Sequence, residues 1–233
     1  MQALIRASQD LLGLFFPNLC LCCQTVLPSM NMHVCLSCQQ KLPYTSLHES
    51  KENMFTQRFW GRVPLIYGAA CFYFVKMGSA QQLIHHLKYA NKRQIGFHWG
   101  RIYGKKLQRV EHFNEIEAIV PVPLHWKRQK QRGYNQAAMI ARGIADVLQC
   151  PLLPQALYRT RPTETLTRKS RLDRLQSIEG AFAVRQAGAL RGKHILLVDD
   201  VMTSGATLEA CALPILKLSG TKISMVTLAI AMY

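Results

Sequence analysis

The chain has 233 residues, of which 49% are hydrophobic, with 14 Gly and 10 Pro. This composition excludes a disordered chain and leaves room for one main domain with a small appendage. The 29 Lys and Arg against 13 Asp and Glu give a formal charge of +16, which points to a polyanionic partner, nucleic acid or a phosphorylated metabolite, against the plainer reading of a basic surface.

No apolar run approaches the roughly 20 residues that cross a bilayer. Residues 3–12 carry charges inside a short apolar pattern and show no cleavage site, so they read as an amphipathic helix and not as a signal peptide. A cytoplasmic location is expected, and cysteines there are metal ligands or packing residues before they are disulfides.

Cys20 and Cys23 form one C-x2-C pair, Cys35 and Cys38 a second, with eleven residues between them. Each two-residue spacer lets both sulfurs face one point, and two such turns make a tetrahedral site that suits zinc. Four protein ligands leave no open position for water, so the role expected is structural. Cys22 competes as a ligand on spacing alone, and His33 reads as a bystander. Residues 41–62 are polar and aperiodic and read as a linker. The expected division is 1–60 for the helix, zinc element and linker, and 61–233 for the main domain.

Residues 65–75 are apolar and aromatic and read as a strand, followed by a helix over 78–89 with Leu83, Ile84 and Leu87 at core spacing. Between Lys88 and Arg109 there are seven Lys or Arg and no acid, with Tyr89, Phe97, Trp99 and Tyr103 interleaved. Cations with aromatic rings suit single-stranded nucleic acid; rings at helical spacing also suit a core. Residues 116–125 form a second buried-type strand ended by Pro121 and Pro123. A loop then carries Lys127, Arg128, Lys130 and Arg132 before a helix over 135–148, and it opens at the ligand edge of a parallel sheet.

Residues 159–171, with Arg161 and Arg171, are basic and hydroxyl-rich and read as a loop. Ile195-Leu-Leu-Val198 is a continuous apolar strand with Asp199 and Asp200 at its carboxyl end. Thr203, Ser204, Gly205, Ala206 and Thr207 follow, before a helix over 208–218 broken or kinked at Pro214. Small hydroxyl residues around a glycine, backed by a helix N-terminus, cradle an anion. Two acids beside that cradle suit a sugar phosphate, the carboxylates accepting from vicinal hydroxyls. A last apolar strand spans 222–231. Cys71, Cys150 and Cys211 are isolated and read as core residues.

The 195–207 stretch resembles the phosphoribosyl-pyrophosphate (PRPP) motif of type I phosphoribosyltransferases. The resemblance implies that Asp199 and Asp200 meet the ribose hydroxyls and act in catalysis, that residues 203–207 hold the 5′-phosphate, and that the basic loops hold pyrophosphate with Mg2+. The apolar strands and crossover helices make an α/β fold natural, a type I phosphoribosyltransferase-like parallel sheet flanked by helices, with the small zinc-knuckle element of the cysteine pairs at its N-terminal side. Purine-salvage members carry an Asp where this chain has Thr203. Leu87-Lys88-Tyr89, Val120-Pro-Val-Pro-Leu-His125, Arg132-Gly-Tyr-Asn-Gln136 and the cysteine pairs resemble the competence-protein ComF (GntX-like) family over nearly the whole chain. Arg161, Thr163, Leu166, Arg171 and Gly180-Ala-Phe182 keep its pattern, whereas Glu164, Thr165 and Ser177 depart from it. That resemblance implies a cytoplasmic protein of DNA uptake and transformation that handles single-stranded DNA alongside a helicase-type partner. The competing readings are an active phosphoribosyltransferase of a small-molecule acceptor with no nucleic-acid role, and a zinc-stabilised scaffold with neither activity.

Overall fold

A computed structural model describes residues 17–29, 32–75, 77–89, 93–160 and 180–232. The helix expected over 3–12 and the loop residues Arg161 and Arg171 lie outside the described residues.

Four parallel strands make the central sheet in the order β1-β6-β5-β2. In chain order these are β1 (Leu65–Phe74), β2 (Ala118–Pro121), β5 (His194–Met202) and β6 (Lys222–Ala231), and a two-stranded antiparallel unit, β3 (Leu157–Arg159) with β4 (Phe182–Val184), stands apart. Helices α1 (Leu36–Gln40), α2 (Ser79–Tyr89), α3 (Arg93–Gln108), α4 (Trp126–Arg132), α5 (Gln136–Leu148), α6 (Ala187–Leu190) and α7 (Ala206–Leu216) complete the described elements.

The uninterrupted apolar runs form strands because both faces of the sheet are covered. On β5, Leu196 and Val198 face the layer of α2, α3 and α5, while Ile195 and Leu197 face α7 and the β3–β4 unit. The strand runs past the expected end: Asp199 pairs with Thr227, and Val201 and Met202 still pair with β6. Helix α7 continues two residues beyond Pro214, so the proline does not break it.

Two expectations change. Trp99 and Tyr103 are fully buried and belong to the core between α3 and the sheet, so neither ring offers a nucleic-acid platform. The run that holds them makes a close helix contact instead. Gly96, Gly100 and Gly104 line the side of α3 that meets α5, and a Cβ on Gly100 would come within 2.2 Å of the Ile140 carbonyl oxygen.

Residues 41–62 are packed and do not behave as the polar linker expected. Residues 43–45 run antiparallel along the edge of β1, where Tyr73 N–H donates to the Pro43 carbonyl at 2.8 Å and Thr45 N–H to that of Cys71 at 2.9 Å. This covers a strand edge that would otherwise be open. Two short 3-10 turns, Leu47–Glu49 and Thr56–Phe59, follow, with Phe55 and Phe59 fully buried. Buried Asn53 organises them by donating to the carbonyls of Leu47, Ser50 and Gly68 and accepting from the N–H groups of Phe55 and Thr56. The polar residues of this stretch thus satisfy its backbone, while its aromatics enter the core.

Because backbone opposes the new methyl group, Gly100→Ala should cost about 3 kcal/mol. Gly188→Ala, where a Cβ meets nothing within 4 Å, should stay within about 0.5 kcal/mol of the parent. Urea unfolding of both variants reads the difference.

Candidate functional site

The carboxyl ends of β2 and β5 open on one edge of the sheet, where ligands bind in such folds. Asp199 and Asp200 stand there, each partly exposed. The N–H of Asp200 donates to Asp199 Oδ1 at 2.8 Å, and Lys88 from the end of α2 pairs with Asp200 Oδ2 at 3.1 Å. Burial first, and the Asp200 carboxylate second, push the Asp199 carboxyl up to about 8. Lys88 and Arg159 pull the other way. Near neutral pH the pair therefore carries about one proton more than two free acids would.

Beyond Met202 the chain turns through Thr203, exposed, and Ser204, half-buried, into the buried Gly205 and Ala206 that open α7; Thr207 is half-buried. Gly205 has φ +82°, a left-handed conformation that glycine adopts without strain. Any Cβ there would also press on the Phe59 ring at 2.9 Å. Among the described residues no loop or turn hydrogen bond takes up the N–H groups of residues 203–207. The first turn of a helix leaves such groups open, and they suit an anion.

This turn is braced from the 41–62 segment. Arg58 donates through Nη1 to the Thr203 carbonyl and through Nη2 to the Ala231 carbonyl at 2.6 Å. Arg62 pairs with the buried Glu209 in the first turn of α7. Neither arginine was among the expected site residues; both lie in the stretch read as linker.

The loop after β2 is a helix for seven residues. His125 caps α4 by accepting from Lys127 N–H at 3.3 Å, and Gly133 closes it at φ 76°. Burial, with the charges of Arg159, Lys127 and Arg128, pushes the His125 imidazole below its ordinary range. Arg159 on β3 is the further cation that sequence reasoning missed. It lies within electrostatic reach of both Arg128 and Asp199, and burial lowers its pKa first. Nothing local distinguishes it within a run of cations.

The Arg132–Gln136 box explains how these parts meet. Tyr134 donates its hydroxyl to the Leu87 carbonyl, one residue before Lys88. Asn135 Nδ2 donates to the Val122 carbonyl at 3.0 Å, and Arg132 to Gln136 Oε1 at 3.0 Å. The box joins the loop after β2 to the end of α2, and so sets Lys88 against Asp200. Of the expected cations, Lys88 pairs with Asp200, Arg128 lies within electrostatic reach of Arg159, Lys127 of His125, and Arg132 is bonded within the box to Gln136.

The cysteines form a separate centre. The sulfurs of Cys20, Cys23, Cys35 and Cys38 all lie within 4.8 Å of one another. Four thiolates around a zinc ion with bonds of about 2.3 Å would stand about 3.8 Å apart, and Cys23 and Cys35 already lie 3.7 Å apart. Cys20 Sγ accepts the N–H groups of Cys35 at 3.3 Å and Cys22 at 3.5 Å, as a thiolate ligand favours. The donor set fits a metal such as zinc. Cys22 turns away, its sulfur 3.9 Å from the Ser79 carbonyl. His33 meets the His98 ring edge-on instead.

Among the described residues no helix is long and apolar enough to cross a membrane. Residues 135–231 match the phosphoribosyl transferase domain. The chain is 31% identical over 151 residues to Competence protein F of Haemophilus influenzae, covering 63% of this chain and 66% of that protein. It is 30% identical over 133 residues to the DNA utilization protein YhgH of Escherichia coli K12, covering 56% of this chain and 58% of that protein. Over 94 residues it is 34% identical to Competence protein ComFC of Bacillus subtilis 168, covering 40% and 36%. Each match spans less than two thirds of the relative's length. These matches, the phosphoribosyl transferase domain and the four-cysteine cluster together support a protein of the competence-protein ComF family.

Proposed function

We propose that the edge of the sheet at residues 199–207 binds phosphoribosyl pyrophosphate, and that the chain serves DNA uptake by handling single-stranded DNA in the cytoplasm. One observation carries the first part. Two adjacent acids stand two residues before the end of a buried strand, and open backbone N–H groups follow, braced at Gly205 and Thr203. Asp199 and Asp200 accept from the ribose hydroxyls, and Thr203, Ser204, Gly205, Ala206 and Thr207 hold the 5′-phosphate. Lys88, Lys127, Arg128 and Arg132, with Arg159 beside them, face the pyrophosphate. Mg2+ travelling with the pyrophosphate supplies charge neutralisation.

The second part is supported by the relatives named for competence and DNA utilization and by the charge of +16. A helicase-type partner in uptake belongs to the same reading. Transfer of the ribosyl group to an acceptor is a separate step: cations around the pyrophosphate favour its departure, and no acid stands at Thr203 to serve a purine ring. The cysteine cluster holds structural zinc, which ties the Cys20–Cys23 turn to the Cys35–Cys38 turn.

Calorimetry with PRPP and Mg2+ at pH 7 should give one site per chain. Carboxylates accepting from hydroxyls are favoured ionised, so binding should release a proton from Asp199, seen as an enthalpy that changes with the buffer. At pH 9, above the value of about 8 held by Asp199, that release should vanish. Asp199→Asn should abolish it and weaken binding more than tenfold, and Arg58→Ala should weaken binding by loosening the 203–205 turn. An affinity unchanged in both variants refutes the site. Pyrophosphate release across a panel of bases separates a transferase from a binder.

Elemental analysis should find one zinc per chain. Cys35→Ser should lose it and lower the thermal midpoint, whereas Cys22→Ser should keep both.

A further inference from the structure

We propose that α4, with Trp126 at its start, is the face on which a single strand of nucleic acid docks. The inference rests on the DNA-handling reading above and names the surface that performs it. Helix α4 has no buried residue. Short helices generally draw their stability from an apolar face packed on the core, and this one has none. Its two caps, His125 and Gly133, hold it instead.

The charge pattern is costly without a partner. Lys127 and Lys130 are three residues apart, Arg128 and Arg132 four, so like charges stack along the same sides of the helix. No acid occurs between residues 118 and 145 to offset them. Among the described ion pairs none involves Lys127, Arg128 or Lys130. A polyanion relieves this repulsion; a neutral partner does not.

Trp126 selects the kind of polyanion. Its side chain is 64% exposed, with Lys127 Nζ 5.6 Å from its ring centroid, and Lys130 follows one turn later on the same side. A flat ring amid cations matches unpaired bases on a phosphate backbone, because every base has a face to stack. A duplex offers no such face along its length, and an acidic protein segment has no use for the ring. Trp60 is equally exposed, at 61%. Its sequence neighbours Arg58 and Arg62 are already committed to the Thr203 and Ala231 carbonyls and to Glu209, so neither is offered to a phosphate. Position agrees: α4 begins five residues after β2 ends, at the carboxyl edge of the sheet where Asp199 stands.

The test uses the full chain and a fluorescent oligo-dT, with anisotropy read over a range of salt. The parent should bind, with log affinity falling linearly against log salt. Trp126→Ala should weaken binding about tenfold or more, with PRPP calorimetry and zinc content unchanged, while Trp60→Ala should bind as the parent does. Lys127→Gln with Lys130→Gln should flatten the salt slope by about 1.4, at roughly 0.7 for each single-strand phosphate. If the parent binds and these α4 variants bind as tightly with the same slope, the face is elsewhere and this inference is overturned, leaving the functional reading intact. If the parent binds duplex as tightly as single strand and Trp126→Ala changes neither, stacking is overturned. If the parent binds no oligonucleotide even at low salt, the DNA-handling reading itself fails.

Discussion

Two neighbouring carboxyl groups at the end of a strand buried on both faces repel each other and lose hydration, and the site is arranged around that cost. The N–H of Asp200 is given to Asp199, Lys88 is set against Asp200, and Arg159 approaches from β3. The cost that remains, lost hydration first and repulsion by Asp200 second, appears as the raised pKa of Asp199. A ligand that brings hydroxyl donors and a cation to this edge relieves the same strain, which is why the position is suited to binding and poorly suited to plain structure. The Arg132–Gln136 box belongs to this arrangement, since Tyr134 anchors the end of α2 that carries Lys88.

The second dependence runs from the N-terminal segment to the 203–207 turn. Cysteine knuckles, the edge pairing of residues 43–45 with β1, the Asn53 network and Arg58 form one continuous path. At its end the Phe59 ring fills the space where a Cβ on residue 205 would stand, and Arg58 holds Thr203 and Ala231. The four-cysteine cluster and the 203–207 turn are thus parts of one packed unit, although Cys20 and Thr203 are 183 positions apart in the chain. Stability lost at the cysteines reaches the turn by loosening this path.

Much of this was legible in the sequence because the signals are local. The β5 and β6 strands show as unbroken apolar runs, the acid pair and Thr203–Thr207 as one contiguous stretch, and the metal ligands as two C-x2-C pairs. The misses have the opposite character. Arg58 meets Thr203 across 145 positions, and Arg62 meets Glu209 across 147, so no window of sequence displays either contact. Polarity made residues 41–62 look like a linker, whereas Asn53 and Thr56 spend their polar groups on the backbone inside the fold. Trp99 and Tyr103 sit among cations in the chain yet point into the core, because glycines bring α3 and α5 close together. Helix α4 was invisible to periodicity for a related reason: it has no apolar side for a pattern to mark.

A sugar phosphate seated where β5 turns into α7 is the claim on which the rest stands. A crystal structure of the protein grown with PRPP and Mg2+ tests it most directly. The account predicts the 5-phosphate about 3 Å from the backbone nitrogens of residues 203–207, with the ribose hydroxyls on Asp199 and Asp200. Ligand density at another surface, with that turn and both carboxyl groups left bare, would contradict it.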